Sequence, residues 1–331
     1  MRKLLFVAAI LLLAWAALVV PLPLAVTAPE PALPVGEVIT LEDDLQGELP
    51  GHLQVTVVRV EPATLVRAAG TLLADERELA FPPALVPPEM DQEEFERFQR
   101  QLFDESVRAA LAVGLEAAGR EVAIDGAGAR IVATIPGTPG SDAFELDDVI
   151  IGIDGRDIAL ASELVAVLGD RRAGEQVQVR VVRGEDELSR SVELAPLEGE
   201  VTQVGLGVLV TTVDLQIDSP AQARMVADRR IGGPSAGLML ALGAYDAATP
   251  EVLGDGRVIA GTGTIDLAGT VGPVDGIAAK VHGALLADAE VFLVPDAQLD
   301  QARDAAPPGL EVVGVETLGD AIDAIDALDD Q

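Results

Sequence analysis

Behind Met1-Arg2-Lys3 the chain is apolar without a break from Leu4 to Val20, and no charge appears before Glu30. A run of that length predicts one helix across a bilayer, ended early by Pro21 and Pro23. Val26-Thr27-Ala28 followed by Pro29 is a weak cleavage context, which favours an uncleaved anchor over a removable signal peptide, with Arg2 and Lys3 on the cytoplasmic side. Pro29 to Pro34 reads as a stiff spacer. His52 to Val60 alternates as a strand does, and Thr64 to Leu73 offers another. From Asp91 the period lengthens: Phe95, Phe98, Leu102, Phe103, Val107, Ala110 and Leu111 recur at three and four, predicting one amphipathic helix over 91–118 closed by Gly119.

Glu121 to Leu194 has another texture, with short β-branched runs between glycine turns. Strands are expected at 130–134, 148–153 and 176–183, with a Ser-capped helix over 162–168. Gly205 to Ile217 reads as one or two strands. Past Arg230 a glycine turn opens an apolar helix at Leu238. The end of the chain alternates strand and helix: Glu290 to Pro295, a helix from Asp296, Glu311 to Val315, and a last helix from Leu318.

Composition narrows what these elements can do. The 331 residues suffice for about two domains. With 49% hydrophobic but only 3% aromatic residues, the interior is filled by Ala, Val, Leu and Ile. The absence of cysteine excludes disulfides and thiolate metal sites. A formal charge of -33 repels phosphate backbones and argues against a nucleic-acid partner. No metal and no cofactor is called for, and no GxxxxGK[ST] phosphate loop occurs. Of the 22 basic residues, 20 are arginine and the two lysines are Lys3 and Lys280.

Two segments carry candidate chemistry. Ile231-Gly232-Gly233-Pro234-Ser235-Ala236-Gly237 runs into the apolar helix, so Ser235 stands at a helix N-terminus where backbone N–H groups can hold an oxyanion. A serine needs a base to become a nucleophile. His52 and His282 are the histidines of the chain, and a histidine base remains one alternative. Lys280 is the other. It lies on a helix with the apolar stripe Ile277, Val281, Ala284 and Leu285, at the stripe's edge, while His282 points away. Desolvation there disfavours the ammonium and suits an amine to accept a hydroxyl proton, which a guanidinium cannot do.

GGPSAG followed by GTGTIDLAGTVGPVDGIAAKVHGA, with 45 positions from Ser235 to Lys280, resembles the proteolytic domain of the Lon peptidases. The resemblance implies a Ser/Lys dyad: Ser235 as nucleophile, Lys280 as general base, Thr262 bonding the lysine, and Gly233, Pro234 and Ala236 shaping the site. Gly232 and Asp275 depart from the family pattern. FDESVRAAL in the 91–118 helix is similar to an early helix of that domain. DDVIIGIDGRDI, SELVAVL and GEQVQVRVVRG resemble, in order and spacing, the bacterial PDZ domain. That likeness implies a peptide adding a strand beside the Arg130 to Thr134 edge, with Arg130, Ile131, Val132 and Leu164 lining the groove.

The whole is similar to membrane-anchored, PDZ-containing Lon-like serine peptidases of Gram-positive-type bacteria. The fold implied is α+β: a Lon-type proteolytic domain with an inserted β-rich PDZ domain and one N-terminal transmembrane helix. The boundaries are anchor 1–27, linker 28–40, proteolytic domain 41–118 and 198–331, and PDZ 119–197. The function implied is an ATP-independent serine endopeptidase without an AAA+ module. It would be single-pass in the cell membrane with its catalytic domain outside, acting on polypeptide tails, and a homo-oligomer, hexameric by family analogy. The alternative is a catalytically silent PDZ adaptor or scaffold.

Overall fold

A computed structural model of the chain describes residues 15, 17–42, 49–71, 78–80, 92–169, 171–197, 203–219, 221–226, 233–250 and 252–329. The chain folds as two units, one formed by Met1–Arg120 with Pro220–Gln331 and the other by Glu121–Ser219.

The first unit is built on a five-stranded sheet in the order Leu33–Pro34, Leu53–Val55, Ile259–Gly261, Val291–Pro295, Glu311–Val315. The last four strands run parallel and Leu33–Pro34 lies antiparallel at one edge. All five residues of Val291–Pro295 are buried, as expected of a parallel strand covered on both faces. Successive side chains of a strand point to opposite faces. Accordingly Ile259, Val291 and Leu293 join the core beneath the Gly237–Ala248 and Leu318–Asp329 helices. Ala260, Phe292 and Val294 join the core beneath Ile277–Leu285 and Leu299–Ala305.

Gln92–Ala117 forms the long helix that the spacing predicts, with Phe103, Val107, Ala110 and Leu111 buried. The side chains of Phe95, Phe98 and Leu102 lie outside the described residues. This helix packs closely on Gly237–Ala248: a Cβ added at Gly114 would stand 2.3 Å from the Ala241 carbonyl oxygen. A side chain there would push apart the two helices that frame the serine.

The N-terminal region differs from expectation. Pro21–Pro29, expected as the end of the anchor (1–27) and the start of the spacer, is instead a strand, paired antiparallel with Val58–Thr64 and Glu78–Ala80. The reason is local: Pro21 and Pro23 remove helix donors, and extended backbone suits Val26 and Thr27, both buried. Among the described residues no helix is long and apolar enough to cross a membrane, and the Leu4 to Leu13 part of the expected anchor lies outside them. The expected linker 28–40 is no free spacer, because Val35, Val38 and Ile39 enter the main core. The expected strand after Thr64 is a helix, Leu65–Thr71.

The second unit is a sheet in the order Asp186–Glu193, Gln176–Arg183, Val149–Ile153, Ala129–Thr134, Val208–Thr212. The Ala161–Gly169 helix contributes Leu164 and Leu168 to its core. Val208–Thr212, placed by the sequence in the catalytic part from 198 onward, belongs to this unit, which ends at Ser219. The strand is drawn there because Leu206, Val208 and Val210 complete the apolar core of the smaller unit.

Candidate functional site

At the carboxyl ends of the parallel strands, where open α/β sheets commonly place their ligands, three segments converge. The chain leaves Ile259–Gly261 directly into Thr262, whose N–H donates to the Leu293 carbonyl (3.0 Å). Gly263 N–H donates to the Ser235 carbonyl (3.0 Å), and Leu238 N–H donates to that of Gly263 (3.1 Å). The turn carrying Ser235 is thereby tied to the end of the central strand. Gly233 makes the approach with φ 79°, a conformation that L side chains avoid. Pro234 follows, and the helix begins at Gly237 with buried Ala236 as its N-cap. Ser235 itself is half-buried and so remains reachable.

Lys280 comes from the opposite side of the sheet on Ile277–Leu285, whose Lys280 N–H donates to the Gly276 carbonyl. It is 2% exposed, deeper than the stripe-edge position its helix pattern predicts. The helix is covered on a further side: Ala32 N–H donates to the Gly283 carbonyl (3.0 Å), and a Cβ at Gly283 would meet the Glu30 carbonyl oxygen at 2.4 Å. Lys280 Nζ donates to Thr262 Oγ1 (3.1 Å), and Thr262 Oγ1 donates to the Ser235 carbonyl oxygen (3.1 Å). Thr262 is fully buried. The structure thus joins Lys280, Thr262 and the Ser235 backbone in one hydrogen-bonded chain.

The histidines are held elsewhere. His282 Nδ1 bonds the Ala278 carbonyl of its own helix (2.8 Å), and His52 Nε2 bonds the Leu253 carbonyl (2.6 Å). Asp275 is exposed, and Gly232 lies outside the described residues. Ser106 lies inside the FDESVRAAL segment, where the sequence assigns it no role; it is a buried serine in the Gln92–Ala117 helix whose Oγ donates to the Pro234 carbonyl (3.2 Å). Its signal was a hydroxyl on the helix face that carries Phe103 and Ala110.

In the smaller unit the expected groove edge is already occupied. Ala129–Thr134 pairs antiparallel with Val208–Thr212, with Val208 opposite Thr134, Val210 opposite Ile131 and Thr212 opposite Ala129. No incoming peptide can add beside Arg130 to Thr134 while that pairing holds. Ile131 and Leu164 are buried in the core, Val132 is 51% exposed on the face away from it, and Arg130 Nη1 lies 3.8 Å from Asp147. Sheet pairing stops at Val208–Thr212 among the described residues, and the Ala161–Gly169 helix packs against this strand. The Ala161 N–H donates to Thr212 Oγ1 (3.0 Å), which fixes the helix N-terminus beside the strand's end. Val208 and Val210 of this strand are half-buried against the core. The edge that can accept a strand is therefore Val208–Thr212, one strand further out than the sequence suggested. Gly205-Leu206-Gly207 before it was the available signal.

Two buried carboxylates titrate in opposite directions. Burial acts to raise the pKa of Asp148, but hydrogen bonds from Arg183 (Nε to Oδ1 and Nη2 to Oδ2, both 2.7 Å) and from the Glu145 N–H, aided by nearby guanidinium charge, outweigh it. Its carboxyl is held below the ordinary range. Burial pushes Asp246 up, against the Leu253 N–H that it accepts (2.5 Å) and the nearby His52.

Residues 109–194 match the family model described as PDZ domain, so the chain carries a PDZ domain, which suggests peptide binding. The match ends before the strand that forms the outer edge of the sheet. Among solved structures, the PDZ domain of the SdrC-like protein from Listeria monocytogenes is 18% identical, covering 25% of this chain and 87% of its own (TM-score 0.24). That of Listeria innocua is 20% identical, covering 25% and 92% (TM-score 0.24). The solution structure of GtR34C from Geobacillus thermodenitrificans is 28% identical, covering 25% and 97% (TM-score 0.22). No curated protein matches the chain.

Proposed function

We propose that the larger unit is an ATP-independent serine endopeptidase of the Lon-like type and that the PDZ domain captures the tails of its polypeptide substrates. The observation that carries this reading is the chain from buried Lys280 through Thr262 to the Ser235 backbone. Burial disfavours the charged form of an amine, and neutral Lys280 can then act as base. As Ser235 Oγ attacks the scissile carbonyl carbon, its proton passes to Nζ, and the carbonyl electrons move to oxygen. Collapse of that oxyanion expels the amine, which takes the proton back from Nζ. Water then gives a proton to Lys280 Nζ as it adds to the acyl carbon, and collapse of this second oxyanion frees the acid product while Nζ returns the proton to Ser235 Oγ.

The Lon-like architecture, including a ring-shaped homo-oligomer, belongs to this proposal and rests on the GGPSAG and GIAAK segments. So does a single-pass anchor in the cell membrane with both units outside. Support for the anchor comes from the unbroken Leu4 to Val20 run and from the exposure of Trp15, Leu18, Val19 and Val20 within it.

A second reading, a catalytically silent PDZ adaptor, is favoured by the family match being confined to residues 109–194. Purified full-length protein, incubated with an unstructured polypeptide, separates the two. Cleavage lost in both Ser235→Ala and Lys280→Arg supports the peptidase, whereas no cleavage by the unaltered protein supports the adaptor.

A further inference from the structure

The Ser235 turn is held from a direction that the dyad does not use. Ser106 is 5% exposed, and its Oγ donates to the Pro234 carbonyl oxygen (3.2 Å). That oxygen also accepts the Gly237 N–H within the turn (3.2 Å). Gly237 keeps this arrangement open, since a Cβ there would stand 3.0 Å from Ser106 Oγ and 2.8 Å from the Ile265 nitrogen. The Pro234 carbonyl and the Ser235 N–H belong to one peptide unit, and the described chain has no cis bond. A trans peptide is planar, so a carbonyl fixed towards one side sets its N–H towards the other. The bond from Ser106 therefore turns the Ser235 N–H away from the Gln92–Ala117 helix.

We propose that Ser106 is a positioning residue that holds the Ser235 N–H as a preorganised oxyanion donor, an inference that rests on the peptidase reading. An oxyanion donor contributes most when it is fixed before charge develops, because no reorganisation is then needed in the transition state. Without the Ser106 hydroxyl, the peptide plane is held on this side by the turn's own bond alone among the described contacts. Ground-state substrate binding involves neither the oxyanion nor, to first order, this plane. The effect thus falls on kcat and on tetrahedral adducts rather than on KM.

The test compares full-length protein with Ser106→Ala, Ser106→Thr and Ser235→Ala, using an unstructured fluorogenic polypeptide and a peptidyl boronate that forms a tetrahedral adduct on serine. Ser106→Ala is expected to lower kcat about ten- to hundredfold with KM within about twofold, and to weaken the boronate by a similar factor. Ser106→Thr, which keeps the hydroxyl, is expected to recover most of both. Melting temperatures of the variants identify a general loss of fold, which would lower activity without selectively weakening the boronate. If the unaltered protein cleaves in a Ser235-dependent way and Ser106→Ala matches it in kcat and boronate affinity, the positioning role is overturned alone. If the unaltered protein neither cleaves nor binds the boronate, that role and the peptidase reading fall together.

Discussion

The two units treat buried polar groups differently. In the larger one Thr27, Thr56, Ser106, Asp246, Thr262 and Lys280 are buried, whereas in the smaller one Asp148 is the buried polar residue among those described. Asp148 accepts from a bidentate guanidinium and a backbone donor, which closes the Glu145–Asp148 turn onto the sheet. Three of the buried groups in the larger unit are linked instead to one half-buried turn, Ser106 and Thr262 directly and Lys280 through Thr262. Isolating an amine and hydroxyls from water costs stability unless they bond one another. Their concentration around Ser235 is what the proposed peptidase reading rests on, while the smaller unit presents, among the described residues, a strand edge without a sheet partner beside a helix.

The largest expected effect separates these roles. Ser235→Ala and Lys280→Arg should each lower cleavage of an unstructured polypeptide by about a thousandfold or more, measured by fluorescence release, while peptide binding to the smaller unit stays unchanged. Next, Val208→Asp should weaken binding of an extended peptide about tenfold or more, by charging the apolar edge strand. Val132→Asp, on the outer face, should leave fluorescence anisotropy titrations unaltered. The reverse result would return the groove to the Ala129–Thr134 edge.

Stability changes follow in size. Gly114→Ala should destabilise the larger unit by about 3 kcal/mol, near the top of the range for overpacking, because the added carbon meets rigid backbone; denaturant unfolding reads this. Asp148 contributes stability that is present above the ordinary carboxylate pKa of about 4 and is lost as pH falls through its lower folded value. The smaller unit should therefore lose more stability on acidification than its Asp148→Asn variant does. Asp246 has the opposite sign: its raised pKa gives a contribution present at low pH and lost as pH rises through the folded value. Asp246→Asn, which can still accept from Leu253, should then change stability at neutral pH by less than about 1 kcal/mol.

Much of the architecture was legible wherever periodicity was long or glycine turns were sharp. The Gln92–Ala117 helix, the Gln176–Arg183 strand and the closing strands and helix lie where their patterns put them. Ser235 and Lys280 could be nominated from residue type and order, and the bond from Lys280 to Thr262 from the family resemblance, but the further bond from Thr262 to the Ser235 carbonyl could not. The full burial of Lys280 depends on Glu30 and Ala32 crossing the far side of its helix, a tertiary contact with no local signature. The groove was misplaced because strand pairing is non-local: Val208 finds Thr134 across a separation that alternation along either strand does not encode. At the N-terminus Pro21 and Pro23 signalled where a helix must end, but the pairing of Pro21–Pro29 with Val58–Thr64 is non-local and had no signature along the chain.

Treating full-length protein with a serine-directed peptidyl phosphonate and mapping the adduct by mass spectrometry reads the Ser235–Lys280 pair itself. One modified residue is expected, Ser235, with labelling slowed at least about a hundredfold in Lys280→Arg. Labelling of Ser235 at an equal rate in both proteins, or none at all, would contradict the dyad.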